Sequence, residues 1–184
     1  MLNTSELEFS QVYDTYQPKI LLYLVRLIGA GEAEDLAQEV FMRVNQTLAS
    51  FRGESQLSTW LYRIATNAAI DRMRTASFQH SIQEGTLDDE GEAGAKEIWT
   101  GEEPPSLEQA LLQKERYHCF LRYLKALPLN YQVILLLSEI EALTTREIAE
   151  ILGLSQETVK IRLHRGRTRL FQALREHCRP EEWL

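Results

Sequence analysis

At 184 residues the chain has room for one domain or two small ones, each with a modest helical core. A formal net charge of −7 argues against a protein that holds DNA tightly by itself, and no apolar run approaches membrane-spanning length. Two cysteines far apart in sequence give no disulfide framework, and the N-terminus lacks a basic-then-apolar leader, so a soluble protein of the reducing cytoplasm is expected.

Strand signals are poor, whereas leucine-, alanine- and glutamate-rich segments of helical period dominate, which predicts an all-α fold. A first helix carries Phe9, Val12, Tyr13 and Tyr16 on one face. Pro18 suits the first turn of a second helix, which bears Ile20, Leu21, Leu24, Leu27 and Ile28 and stops at Gly29. A third, over about 33–50, buries Leu36, Val40, Val44 and Leu48 and leaves Asp35, Gln38, Glu39 and Arg43 on its other side. A polar loop at 52–56 leads into a helix from about Leu57 to Arg74. Leu61, Ile64 and Ala68 form its core stripe, while Asn67, Asp71 and Arg74 share another face. Trp60 and Tyr62 interleave with Arg63 near its start, and Trp60 reads as a structural residue.

The stretch "SIQEGTLDDEGEAGAKEIWTGEEPPS" has scattered glycines, a Pro-Pro pair and no sustained apolar period. It reads as a flexible acidic linker, with Ile98 and Trp99 as its apolar exceptions. The domains expected are therefore 1–78, a linker at 79–106, and 107–184. Charge divides unevenly among them. Residues 1–78 hold 7 basic and 9 acidic side chains, 79–106 hold 1 and 8, and 107–184 hold 12 and 10. The acidity is concentrated in the middle, and within 155–175 six basic residues face Glu157 alone.

That cationic segment lies in "TTREIAEILGLSQETVKIRLHRGRTRL". Thr144 and Glu147 have capping-box spacing, and Ile148, Ala149 and Leu152 fall on one face of the helix they open. Gly153 stands where a left-handed cap residue is needed, and Ser155 can cap the next helix. In that helix Val159, Leu163, Leu170 and Leu174 form an inward stripe with small Gly166 among them. Glu157, Lys160, Ile161, His164 and Arg165 lie on the opposite face. Caps, small residues and apolar positions agree on a helix-turn-helix, the alternative being a helical hairpin with a solvated charged face.

The segments "EDLAQEVFMRV", "FRGESQLSTWLYRIATNAAIDRMR" and "EIAEILGLSQETVKIRLHRGRTRL" together resemble bacterial extracytoplasmic-function sigma factors, the compact (group IV) members of the sigma-70 family. The resemblance implies two small helical domains, sigma-2 and sigma-4, without the domain that separates them in larger sigma factors. It further implies binding to core RNA polymerase, at the β′ clamp helices and the β flap, and delivery of that enzyme to promoter DNA. On this resemblance Asp35, Gln38 and Glu39 match the positions that meet the clamp helices. Arg52, Gly53, Glu54 and Ser55 lie in the loop that holds an extruded base of the −10 element, with Asn67, Asp71 and Arg74 on the adjacent helix. Gln156, Glu157, Lys160, Ile161, His164 and Arg165 would read the −35 element, with Arg162 and Arg167 as phosphate contacts or surface charges. An anti-sigma factor is the further partner that the family implies.

Two positions depart from the family's habit. Gln132 stands four residues after the proline of the Leu-Pro pair, where an arginine is frequent, and Ala142 replaces a glycine common before the helix-turn-helix. A stand-alone helix-turn-helix regulator is the alternative function, but it needs neither a polymerase-facing helix nor a base-holding loop. No nucleophile–base constellation or glycine-rich phosphate loop suggests an enzyme, and no cofactor is implied. The dipeptide His-Cys occurs twice, at His118-Cys119 and His177-Cys178. Its spacing matches no standard zinc pattern, so no metal site is expected, and one partly buried cysteine among surface residues is the plainer reading.

Overall fold

The computed structural model describes residues 8–75 and 107–178, with side chains from 114 onward in the second stretch. The acidic linker at 79–106, including Asp88, Asp89, Glu90, Ile98 and Trp99, lies outside the described residues. Regular structure among the described residues is entirely helical. In the first stretch α1 spans Phe9–Ile28, α2 Ala30–Thr47 and α3 Leu57–Arg74, with a 3-10 turn at Leu48–Ser50. In the second, α4 spans Leu107–Lys125, α5 Leu129–Leu135 with a π turn at Leu136–Ile140, α6 Thr145–Leu152 and α7 Gln156–His177.

The three N-terminal helices pack pairwise around Ile20, Tyr23, Leu24, Leu36, Val40, Val44, Leu61 and Ala65, all essentially without solvent contact. Burying each isoleucine, leucine or valine among them contributes roughly 1.5–3 kcal/mol. The sequence predicts two helices meeting at Pro18, but α1 runs through it unbroken. Pro18 is exposed, so the Asp14 carbonyl that it leaves without an intrahelical partner faces water, while the buried face from Val12 to Ile28 stays continuous. Gly29, at φ 93°, then turns the chain directly into α2.

In the C-terminal helices, α5, α6 and α7 assemble around Val133 to Leu137, Ile148, Ile151, Val159 and Leu163, with α4 packed along α7. The local signals of the helix-turn-helix take the geometry their spacing predicts. Thr144 Oγ1 accepts from the Glu147 amide while Glu147 Oε2 accepts from the Thr144 amide at 2.8 Å, a closed capping box. Gly153 ends α6 in the left-handed region at φ 63°, and Ser155 Oγ accepts from the Thr158 amide at 3.1 Å to start α7. Gly166 lets the helices approach closely: a Cβ there would meet Leu135 Cδ1 at 3.2 Å and press that side chain aside by a few tenths of an ångström. One core position differs from expectation. Ile151 is buried, whereas Leu152 is only partly so, because α6 also packs against α3.

The two departures noted above have visible roles. Gln132 Nε2 donates to the carbonyls of Lys125 and Leu127, both at 2.6 Å, tying off the end of α4 across the turn at Pro128. Ala142 is the only non-glycine among the described residues with positive φ, at 51°.

Candidate nucleic-acid interface

The N-terminal half of α7 presents a polar surface built by the same periodicity that buries Val159, Leu163, Gly166 and Leu170. Gln156, Glu157, Lys160, His164 and Arg165 are exposed there, and Ile161 stands out among them at 49% exposure. Arg162 is half-buried. Arg167 is otherwise engaged: its Nε and Nη2 donate to Glu139 Oε1 at 2.9 and 2.7 Å, with Nη2 also 3.3 Å from Ser138 Oγ. Arg169 lies over the Tyr131 ring, 4.8 Å from its centroid. Arg167 and Arg169 thus have partners within the chain, and the polar side chains that face solvent in the first half of α7 lie within 156–165. A guanidinium, an ammonium, a carboxylate, an amide and an aliphatic tip suit the donor, acceptor and methyl pattern of a major groove.

A second polar surface surrounds the loop between the 3-10 turn and α3. Gly53 takes φ 70°, and Arg52, Gly53 and Glu54 are exposed while Ser55 is partly covered. Arg52, Glu54 and Ser55 border a cleft of about 440 Å³ whose lining includes Phe51 and Trp60, with ring centroids 5.2 Å apart. Trp60 is 9% exposed, so it is both core and cleft wall. Polar edges above aromatic faces suit a base turned out of its stack. On α3, Asn67, Asp71 and Arg74 are all exposed at helical spacing. Arg63, one turn before Asn67, lines the cleft and belongs with them. Its place in the repeat 63, 67, 71, 74 is the sequence signal that marks it.

Asp35, Gln38 and Glu39 form a third surface on the exposed side of α2. Glu39 is also a structural partner, since Arg72 of α3 donates to its Oε1 at 2.5 Å and to Glu32 Oε2 at 2.8 Å. Met42, one turn beyond and 64% exposed, adds an apolar side chain to this surface that the charge pattern concealed. Among the described residues no group of three or more histidine, cysteine or carboxylate side chains is arranged to hold a metal ion.

The two helical units touch in this structure. α3 packs on α6, and Glu150 of α6 forms one wall of the loop cleft. Arg26 Nη1 meets Glu141 Oε1 at 3.1 Å, its Nε donates to the Tyr117 hydroxyl at 2.7 Å, and Tyr62 donates to Glu141 Oε2.

Comparison with known proteins accounts for this arrangement. Residues 12–79 match the model of sigma-70 region 2 and residues 117–170 that of sigma-70 region 4. The chain is 36% identical over 169 residues to the ECF RNA polymerase sigma factor SigW of Bacillus subtilis, covering 91% of this chain and 89% of that one. It is 34% identical to the RNA polymerase sigma-H factor of Pseudomonas aeruginosa and 30% to the sigma-E factor of Escherichia coli K12, each match covering 86% of this chain and 82% of the relative. The fold is also that of the sigma factor RpoE of Bartonella quintana, solved with the anti-sigma factor NepR, at TM-score 0.66 and 23% identity over 91% of this chain and 96% of that one. CnrH, solved with the cytosolic domain of CnrY, gives TM-score 0.61 at 21% identity, over 92% and 88% respectively. With both sigma-70 regions in order along one short chain, and relatives of this identity over most of their length, the protein belongs to the sigma-70 family as an extracytoplasmic-function sigma factor.

Proposed function

We propose that the chain binds core RNA polymerase through the Asp35, Gln38, Glu39 and Met42 face of α2 and directs it to promoters that it reads at two elements. The N-terminal half of α7 reads the −35 element in the duplex. The 52–55 loop and the Arg63, Asn67, Asp71 and Arg74 face of α3 hold the −10 element. The observation that carries this reading is the cleft beside the loop, lined by an aromatic pair together with arginine and carboxylate side chains, on the same chain as a helix with an exposed polar face.

The division of labour follows the chain: 1–78 for polymerase and the −10 element, 79–106 as tether, 107–184 for the −35 element. The role is one of recognition without chemistry of its own, exerted in the cytoplasm where polymerase and promoter meet. Among the described residues no helix is long and apolar enough to cross a membrane. An anti-sigma factor is a fitting partner because it would have to cover surfaces that are otherwise open to polymerase and DNA.

Purified core polymerase, supplied with the protein and fragments of the source genome, tests the proposal by mapping transcript starts. Starts that share one upstream element pair, and that disappear without the protein, are the expected result. Failure of the protein to co-migrate with core polymerase, or starts with no common upstream elements, overturns it.

A further inference from the structure

Cys119 and Cys178 are 59 residues apart in sequence, and the expectation of no disulfide framework does not survive their placement. Cys119 lies on α4, Cys178 immediately follows the last turn of α7, and their sulfurs are in direct contact with Cα atoms 6.7 Å apart. That separation lies within the range a disulfide spans without moving the backbone. Neighbouring contacts hold the two ends in register. The Cys178 amide donates to the Leu174 carbonyl at 2.8 Å, and the His177 ring lies 5.1 Å from that of Tyr123 on α4. The four-ligand zinc arrangement that the paired His-Cys dipeptides suggest is not assembled. His177 Nδ1 is 3.0 Å from the Ala173 carbonyl, and the His118 ring lies edge-on to that of Tyr117.

The two thiols have unequal surroundings. Cys178 is 7% exposed. Cys119 is partly exposed and borders a surface hollow lined by Lys114, Glu115, His118 and Arg122. Access to solvent lets the Cys119 sulfur meet a small oxidant, while Cys178 is shielded.

We propose that Cys119 and Cys178 are a reversible redox pair whose oxidation clips the end of the recognition helix to α4. In the reaction the Cys119 thiolate attacks one sulfur of a low-molecular-weight disulfide, forming a mixed disulfide and releasing one small thiolate. The Cys178 thiolate then attacks Cys119 Sγ, forming the internal S–S bond and releasing the second. Two cysteine thiols lose two electrons and two protons, and the small disulfide becomes two thiols. Excess thiol reverses both steps. Gln156 and Cys178 are separated by the length of α7, roughly 30 Å at 1.5 Å per residue. Oxidation thus acts on the stability of the DNA-reading half and leaves its reading surface intact. Cross-linking so long a loop restricts the unfolded chain strongly.

The full-length protein is equilibrated with oxidised and reduced glutathione at graded ratios, and its thiols, gel mobility and melting temperature are measured. Titratable thiols are expected to fall from two to none per chain, with faster non-reducing migration of a monomer. The melting temperature of the C-terminal transition is expected to rise by on the order of 10 °C. Cys119→Ser and Cys178→Ser should both match the reduced wild type in melting temperature and ignore the glutathione ratio, which separates loss of the clip from loss of the fold. Thiols that stay reactive at every ratio, oxidation that yields only intermolecular dimers, or an equivalent of tightly bound zinc protecting both cysteines would each overturn the proposal.

Discussion

Tyr62 of α3 donates its hydroxyl to Glu141, the residue that ends the π turn before the helix-turn-helix, with 2.5 Å between the oxygens. Arg26 of α1 completes the cluster from the other side and carries Tyr117 of α4 on its Nε. The Arg26 and Glu141 side chains are only 15% and 10% exposed, so this is a nearly dry charged contact between the two helical units. It holds α3 against α6, with Glu150 beside the loop cleft. Elements about 25 base pairs apart lie roughly 85 Å apart along B-form DNA. On the proposed function, serving both elements requires the two units to part, since compact helical units in contact span far less than that distance.

Glu141→Ala should therefore open the free protein. It removes hydrogen bonds to one charged and one neutral partner and leaves Arg26 half-partnered, a loss of about 2–3 kcal/mol from the inter-unit contact. Small-angle scattering should show a larger radius of gyration, and promoter fragments should bind more tightly in the absence of polymerase. An unchanged radius and affinity would mean that Glu141 does not hold the units together.

The same contact should weaken in alkali. Burial, joined by the negative charge of Glu141, pushes the Tyr62 phenol well above its ordinary range, and burial does the same to Tyr23, whose hydroxyl is 2.8 Å from Thr66 Oγ1. A phenol with a raised folded pKa favours the folded state fully below its unfolded value of about 10. As pH rises past that value the unfolded chain releases the proton first, and stability falls with further rise. Melting temperature should thus decline above about pH 10, and less steeply in Tyr62→Phe. Parallel pH profiles for the variant and wild type would remove Tyr62 from the account.

On α2, Asp35→Lys is the clean test of polymerase binding. Asp35 is exposed and has no structural partner described, so reversal should leave melting unchanged while reducing holoenzyme formation in competition with another sigma factor. Glu39→Lys is expected to lower the melting temperature as well as holoenzyme formation, because it sets a lysine against Arg72. Equal holoenzyme yield from Asp35→Lys and wild type would place the polymerase contact elsewhere.

How far the sequence foretold these surfaces depends on the range of the forces involved. The capping box at Thr144, the left-handed Gly153 and the start of α3 at Leu57 are decided within a few residues, and they stand where local spacing puts them. The exposed faces of α2, α3 and α7 follow from helical period in the same way. Contacts between distant segments left no such trace. Glu141 meets Tyr62 across 79 residues and Arg26 across 115, and neither pair has a spacing to read. Pro18 misled for the opposite reason: its local preference for a helix start was overridden by a buried stripe that continues on both sides.

The two DNA-reading surfaces should separate genetically. Lys160→Ala and Arg165→Ala should each cost about 1–3 kcal/mol at promoters with the preferred −35 base and little where that base is already changed. Asn67→Ala should instead relax preference at the −10 element. Arg167→Ala should act differently again, lowering thermal stability through loss of the Glu139 bonds, with a small and uniform effect across promoters. Transcription from a matrix of promoter variants distinguishes these patterns, and identical profiles for Lys160→Ala and Asn67→Ala would contradict the assignment.

Ala142 offers a test of stability that leaves the reading surfaces untouched. Its φ of 51° lies in the left-handed region, where a Cβ crowds the following carbonyl at a cost of about 1–2 kcal/mol. The turn is fixed nonetheless, because the Glu141 amide donates to the Leu136 carbonyl at 3.1 Å and the Leu143 amide to the Leu137 carbonyl at 3.0 Å. Glycine removes the crowding but adds freedom to the unfolded chain, worth roughly 0.4–1 kcal/mol in the other direction. The balance for Ala142→Gly is a gain of about 0.5–1 kcal/mol, or some 1–4 °C in melting temperature for a chain of this size. Because Ala142 is exposed and the two backbone hydrogen bonds hold the turn on either side of it, the substitution should leave the Tyr62 contact and promoter selection unaltered. A lower melting temperature in Ala142→Gly would show that the left-handed turn carries no strain for alanine to relieve.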